Sequence, residues 1–125
     1  MWIYKNENSN NNRVGDCVVR AISTATNQSW EKTYVDLCIF GLMMYDLPSS
    51  NAVWGAYLSK KGYKRRTIPN DCNCYTVEDF CQYHPKGTYI LGTGTHAVAV
   101  IDGNHFDSWN SSQELPIYYF EKTED

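Results

Sequence analysis

The stretch from His96 to Trp109 constrains this chain more than any other. His96-Ala97-Val98-Ala99-Val100-Ile101 is a run of small and β-branched residues that reads as a strand. Asp102-Gly103-Asn104 follows as a tight turn of the Asp-Gly type. His105-Phe106-Asp107-Ser108-Trp109 then continues the antiparallel run. Counting back from the turn pairs residues near 96–100 with residues near 107–111, so His96 and Asp107 are expected to be near neighbours.

The rest of the last third agrees with a sheet. Thr88 to Leu91 reads as a strand, and Pro116 to Phe120 as a final one before the acidic tail Glu121 to Asp125. The first half reads differently. Trp2 to Lys5 is a short edge strand, and Asn6 to Gly15 is a polar, Asn-rich loop. A helix is expected from Asp16 or Cys17 to Asn27, with Val18, Val19, Ala21, Ile22 and Ala25 as its apolar positions. Ser29 is an N-cap for a second helix from Trp30 to about Phe40. Asn51 is expected to cap a third helix through Leu58, with Gly62 as its C-cap glycine. Tyr63 to Ile68 reads as a strand. Thr76 caps a short fourth helix through Cys81, and Asp79 completes an approximate capping box. Helices first and an antiparallel sheet afterwards argue α+β, in one domain spanning 1–125.

Charge and cysteine content narrow the class of partner. Eleven Lys and Arg against 14 Asp and Glu give a formal charge of −3, which argues against a nucleic-acid surface. Lys60, Lys61, Lys64, Arg65 and Arg66 read as a solvated helix end and strand edge. No signal peptide and no apolar run of membrane length is visible, so no membrane contact and a cytoplasmic location are expected. The five cysteines, Cys17, Cys38, Cys72, Cys74 and Cys81, are odd in number and too few for a disulfide scaffold. Cys72, Cys74 and Cys81 with His84 form one grouping with metal-ligand character. Reduced thiols are the better reading, with no metal and no cofactor expected.

Cys17 carries the sharpest chemical signal. It opens an amphipathic helix, where the partial positive charge and free N–H groups favour a thiolate and can hold a developing oxyanion. His96 begins a strand after the flexible Gly92-Thr93-Gly94-Thr95, well placed to reach into a cleft. A carboxylate from Asp107 on the imidazole would fix its tautomer and steady the imidazolium. Asp16 beside Cys17 reads as a helix cap, and as a neighbouring anion it would raise the thiol pKa. His84 and His105 read as surface loop residues, Asp102 as a turn residue, and Trp109 as a core residue.

Gly15-Asp16-Cys17-Val18-Val19-Arg20-Ala21-Ile22, Thr95 to Gly103 and Phe106-Asp107-Ser108-Trp109 together resemble the small papain-like cysteine peptidases. The nearest likeness is to the minimal papain-like proteins of bacteria and phages, including the bacteriocin-processing peptidases. The resemblance implies N-terminal helices, with the Cys opening the central helix, packed on a C-terminal antiparallel sheet. It implies a Cys17–His96–Asp107 triad, with Asn110 as an alternative third member. The superfamily supplies a Gln shortly before the Cys for its oxyanion hole. Here that region has no Gln, and the role passes to Asn11 or Asn12. The papain-type Cys-Gly-Ser-Cys-Trp signature is absent. The implied activity is thiol-dependent hydrolysis of an amide bond in a protein or peptide substrate. Two alternatives stay open: deamidation of a Gln side chain, and a silent peptidase-fold binding protein, such as a phage-encoded inhibitor of a host protein.

Overall fold

The computed structural model describes residues 1–69 and 73–123. In chain order the elements are β1 (Trp2–Tyr4), α1 (Cys17–Thr26), α2 (Trp30–Met44), α3 (Asn51–Lys60), β2 (Tyr63–Thr67), α4 (Val77–Tyr83), β3 (Thr88–Gly92), β4 (Ala97–Ile101), β5 (Asn104–Asp107) and β6 (Tyr118–Lys122). Over the described residues the fold is α+β, with four helices and one six-stranded sheet in the order β1-β5-β4-β3-β6-β2.

The sheet's centre follows from its side chains. β3 and β4 read Thr-Tyr-Ile-Leu-Gly and Ala-Val-Ala-Val-Ile and are buried almost throughout. Strands covered on both faces lose the apolar–polar alternation of a half-wet strand. Ala97 and Ala99 join Ala21 and Ile22 of α1 in one core cluster, together with Leu37, Trp54 and Phe120. Small side chains on β4 let α1 lie close to the sheet. Val98 and Val100, one residue out of phase, join Val77, Phe80 and Cys81 of α4, with Tyr89 and Leu91 of β3, in a second cluster. The sheet is thus packed between the first three helices and α4.

Local signals account for most helix ends. The Ser29 hydroxyl accepts from the Lys32 N–H, and Thr76 and Asp79 form a complete capping box. Asn27 takes the left-handed conformation at the C-cap of α1. Gly62, at φ +89°, follows Lys61 at the end of α3. Asp102 and Gly103, at φ +49° and +81°, make a two-residue turn that pairs Ile101 with Asn104. Positive φ at both central residues is the hairpin geometry expected of an Asp-Gly pair.

The structure corrects the sequence reading in several places. The sheet is mixed, because β1 runs parallel to β5 and pairs Tyr4 with Asp107. A three-residue strand carries no direction signal in its composition. α2 continues past Phe40 to Met44, because Gly41 is buried under the backbone of the loop at 46–48. Asn51 does not cap α3; Ser50 holds that position, and the Asn51 side chain accepts from the Trp54 indole at 2.9 Å. His105 is fully buried, since the short turn places it inside β5 rather than beside it. Trp109 lies beyond β5 and stays 43% exposed, so it is no core residue.

Candidate active site

Cys17 is the first residue of α1, and the chain enters through an uncapped turn. The Asp16 N–H donates to the Val14 carbonyl at 2.8 Å, and the Asp16 carbonyl accepts from the Arg20 N–H at 2.9 Å. The Asp16 side chain makes no cap. This corrects the expectation that Asp16 caps the helix. It also leaves the first-turn N–H groups without a side-chain acceptor, which is the arrangement an oxyanion needs.

His96 is held at the mouth of β4. The Thr93 N–H donates to the His96 carbonyl at 2.9 Å, and Gly94 takes φ +99° to close the turn. The imidazole Nε2 lies 2.6 Å from Asp107 Oδ2. That contact leaves Nδ1 for a second partner, and Cys17 is near enough to act on the imidazole. Burial pulls the imidazole pKa down, but Asp107 and Cys17 outweigh it and bring it up to about 9. Burial also pushes the Cys17 thiol up, yet the neighbouring His96, the backbone at Ala97 and the Arg20 charge hold it below the ordinary thiol value. Both directions favour a thiolate–imidazolium pair.

Asp107 closes β5 and is 1% exposed. Burial would raise its pKa, but His96, Ser111 and Arg20 keep it below the usual carboxylate range. Oδ2 accepts from the Ser111 hydroxyl at 2.7 Å as well as from His96. Oδ1 accepts from Arg20 Nη1 at 3.0 Å and from the Ser108 N–H at 2.8 Å.

Arg20 is the residue of the candidate site that the sequence reading passed over. Its Nε donates to Asp16 Oδ1 at 2.9 Å while Nη1 reaches Asp107, so one buried guanidinium joins the residue before Cys17 to the residue behind His96. Asp16 Oδ2 also accepts from the Trp30 indole at 3.0 Å. Two donors hold Asp16, and the Arg20 charge beside it lowers the Cys17 thiol. The available signal was an Arg one turn beyond Cys17, four residues after an Asp.

Of the remaining candidates, Trp109 touches this cluster. Asn11 and Asn12 lie on the exposed loop before α1. Among the described residues no hydrogen bond joins either of them to Cys17. The Asn110 side chain accepts from the Ser112 N–H at 3.1 Å, and Asp107 occupies the place behind His96. Trp109 sits over the imidazole, ring centroids 4.9 Å apart, and so forms a wall of the site. His84 is half-buried, with its ring stacked on Phe80 at 3.8 Å. Cys72, one of the possible metal ligands, lies outside the described residues. Among the described residues no group of three His, Cys, Asp or Glu is placed to hold a metal ion, and no helix is long and apolar enough to cross a membrane. No protein-family model, curated protein or solved structure matches this chain.

Proposed function

We propose that this chain is a cysteine hydrolase of papain-like type that cleaves an amide bond in a protein or peptide. The observation that carries this reading is the short His96–Asp107 contact at 2.6 Å, on a ring that also interacts with the Cys17 thiol. The order Cys, His, Asp along the chain adds to it, with Cys17 at a helix start, His96 just before β4 and Asp107 at the end of the adjacent β5. In the reaction, Cys17 Sγ attacks the carbonyl carbon. The first-turn N–H groups of α1 hold the oxyanion. The His96 imidazolium passes its proton to the departing amine as the C–N bond breaks. Water, deprotonated by His96, then splits the thioester and releases the acid. A Gln side-chain amide would follow the same steps with ammonia as the leaving group.

The test is the alkylation rate of Cys17 by iodoacetamide as a function of pH, read by mass spectrometry. At pH 6 the wild type should react at least about 100-fold faster than His96→Ala, because an unassisted thiol is then less than about 1% thiolate. A rate that tracks an ordinary thiol near pH 8.5 and ignores the substitution would end this reading.

One observation favours a second reading, a binding protein. The end of α2 and the turn after it expose Leu42 (74%), Met43 (71%), Tyr45 (96%) and Leu47 (69%), more contiguous apolar side chain than scattered surface residues present. A partner whose binding survives Cys17→Ala would support that reading.

A further inference from the structure

We infer that the Tyr118 hydroxyl is a catalytic hydrogen-bond donor at Cys17, holding the oxyanion that forms when the thiolate attacks a carbonyl. The inference rests on the cysteine-hydrolase reading and adds a residue to it. The first-turn N–H groups of α1 supply backbone donors for such a hole. The side chains expected to complete it, Asn11 and Asn12, lie on an exposed loop. The sheet brings a different side chain to this place.

Strand register carries Tyr118 toward the nucleophile. Gly92 of β3 pairs with Ala97 of β4 on one side and with Tyr118 of β6 on the other. Residues directly opposite on adjacent strands share one face of the sheet. On that face Ala97 and Tyr118 belong to the core cluster against which Cys17 packs. The Tyr118 ring leans across β3, because Gly92 has no side chain to stop it. A Cβ at Gly92 would overlap the tip of the ring, at Cζ and Oη. The tip is thus about one strand spacing, roughly 4.8 Å, from β4, where the Ala97 backbone acts on the Cys17 thiol. Asp107 comes to His96 from β5, on the opposite side of β4.

The hydroxyl is in the right state to donate. Tyr118 is 8% exposed, yet its oxygen makes no hydrogen bond among the described residues. A buried phenol ordinarily finds a partner. Among the described residues, Glu7 Oε1 is the one enclosed side-chain polar atom that lacks a partner. The Tyr118 oxygen lacks one too and is therefore not enclosed, so a ligand can reach it. Burial raises the phenol pKa above 10, the Arg65 guanidinium 4.5 Å from the ring centroid opposes this, and the Cys17 charge adds to it. A phenol with a raised pKa stays protonated at neutral pH and remains a donor. The effect of Cys17 also means that the two groups are near enough to interact.

The experiment sets two reactions of Cys17 against each other, both read on the Cys17 peptide by mass spectrometry. Acylation by p-nitrophenyl acetate passes through a tetrahedral oxyanion: the S–C bond forms, and nitrophenolate leaves as the C–O bond breaks. Alkylation by iodoacetamide displaces iodide and forms no oxyanion. In Tyr118→Phe the acylation rate should fall at least about tenfold, while alkylation stays within about twofold of the wild type. The variant loses one oxygen and no hydrogen bond among the described residues, so the fold is kept. A role in packing or in the thiol pKa would leave both rates alone or move them together. Acylation that Tyr118→Phe leaves unchanged, or an equal loss of both reactions, would overturn the Tyr118 role alone. Slow iodoacetamide alkylation that His96→Ala leaves unchanged would overturn the catalytic reading, and the Tyr118 role with it.

Discussion

Two cysteine–histidine pairs lie among the described residues, and their ionisation is driven in opposite directions. Cys17 and His96 form one. Cys81 and His105 form the other, with Sγ and Nδ1 3.8 Å apart. The Cys17 thiol is held below its ordinary value and His96 is raised to about 9. The Cys81 thiol is pushed up to about 11 by burial, and His105 is lowered, by burial first and by the N-terminal ammonium second. The difference lies behind the ring. His96 has a buried carboxylate 2.6 Å from its far nitrogen, whereas His105 has the Ser112 hydroxyl at 3.3 Å. A hydroxyl does not compensate an imidazolium, so burial wins at the second pair. Position adds to this, because Cys17 opens its helix and Cys81 lies inside α4. Proximity of Cys and His is therefore a weak criterion for an activated thiol.

The largest effect expected from this contrast is kinetic. In a single iodoacetamide reaction at pH 6, Cys17 should be modified at least about a thousandfold faster than Cys81, since a thiol with a pKa of about 11 is roughly 10⁻⁵ thiolate at that pH. Peptide-resolved mass spectrometry of one sample gives both rates. Comparable rates in the folded protein would erase the distinction between the pairs.

Asp107→Asn attacks the element that separates them. It removes the anion behind His96 and leaves Arg20 with Asp16 as its remaining carboxylate. A loss of about 3 kcal/mol at pH 6 is expected, as for a broken buried pair. The pH dependence has a definite sign. His96 is raised from 6.5 to about 9, so its stabilisation is fully present below pH 6.5 and lost as pH rises through about 9. Urea midpoints of the wild type should fall across that window, and those of Asp107→Asn should fall less steeply there. A variant that keeps the wild-type slope would place the source of the His96 shift elsewhere.

The sequence made one pair more legible than the other. Cys17 at a helix start and His96 and Asp107 around a hairpin were readable because local signals fix all three positions: an amphipathic run, a glycine-flanked strand start and an Asp-Gly turn. The helices were readable by capping and period, apart from the length of α2, which depends on a loop crossing Gly41. Non-local facts were not readable. The parallel pairing of β1 with β5, the burial of His105 against α4 and the double reach of Arg20 each depend on segments brought together from far apart in sequence. Trp109 was misplaced for a related reason. Its composition fits a core, but its strand ends at Asp107 and leaves the ring over His96.

The same contrast, pairing against burial, extends to carboxylates, and there the expected effect is smallest. Asp107 has four hydrogen-bond donors and is held low. Glu7 accepts from the Thr24 hydroxyl through Oε2, while Oε1 is buried with no partner among the described residues. Burial accordingly raises Glu7 from 4.5 to about 7, against the lowering effect of its backbone contact and of Lys5 and Arg20. A raised folded-state pKa means that the protonated form is the one tolerated. The associated stability is complete below about pH 4.5 and lost as pH rises through about 7. Glu7→Gln keeps an oxygen for Thr24 and removes the charge. Glu7 is part-exposed, so solvent screening limits the gain to about 1 kcal/mol at pH 8, and the gain should vanish at pH 5. Urea midpoints at the two pH values measure it. A variant less stable than the wild type at pH 8 would mean that the ionised Glu7 is a genuine anchor for Thr24, and that burial does not dominate at this carboxylate.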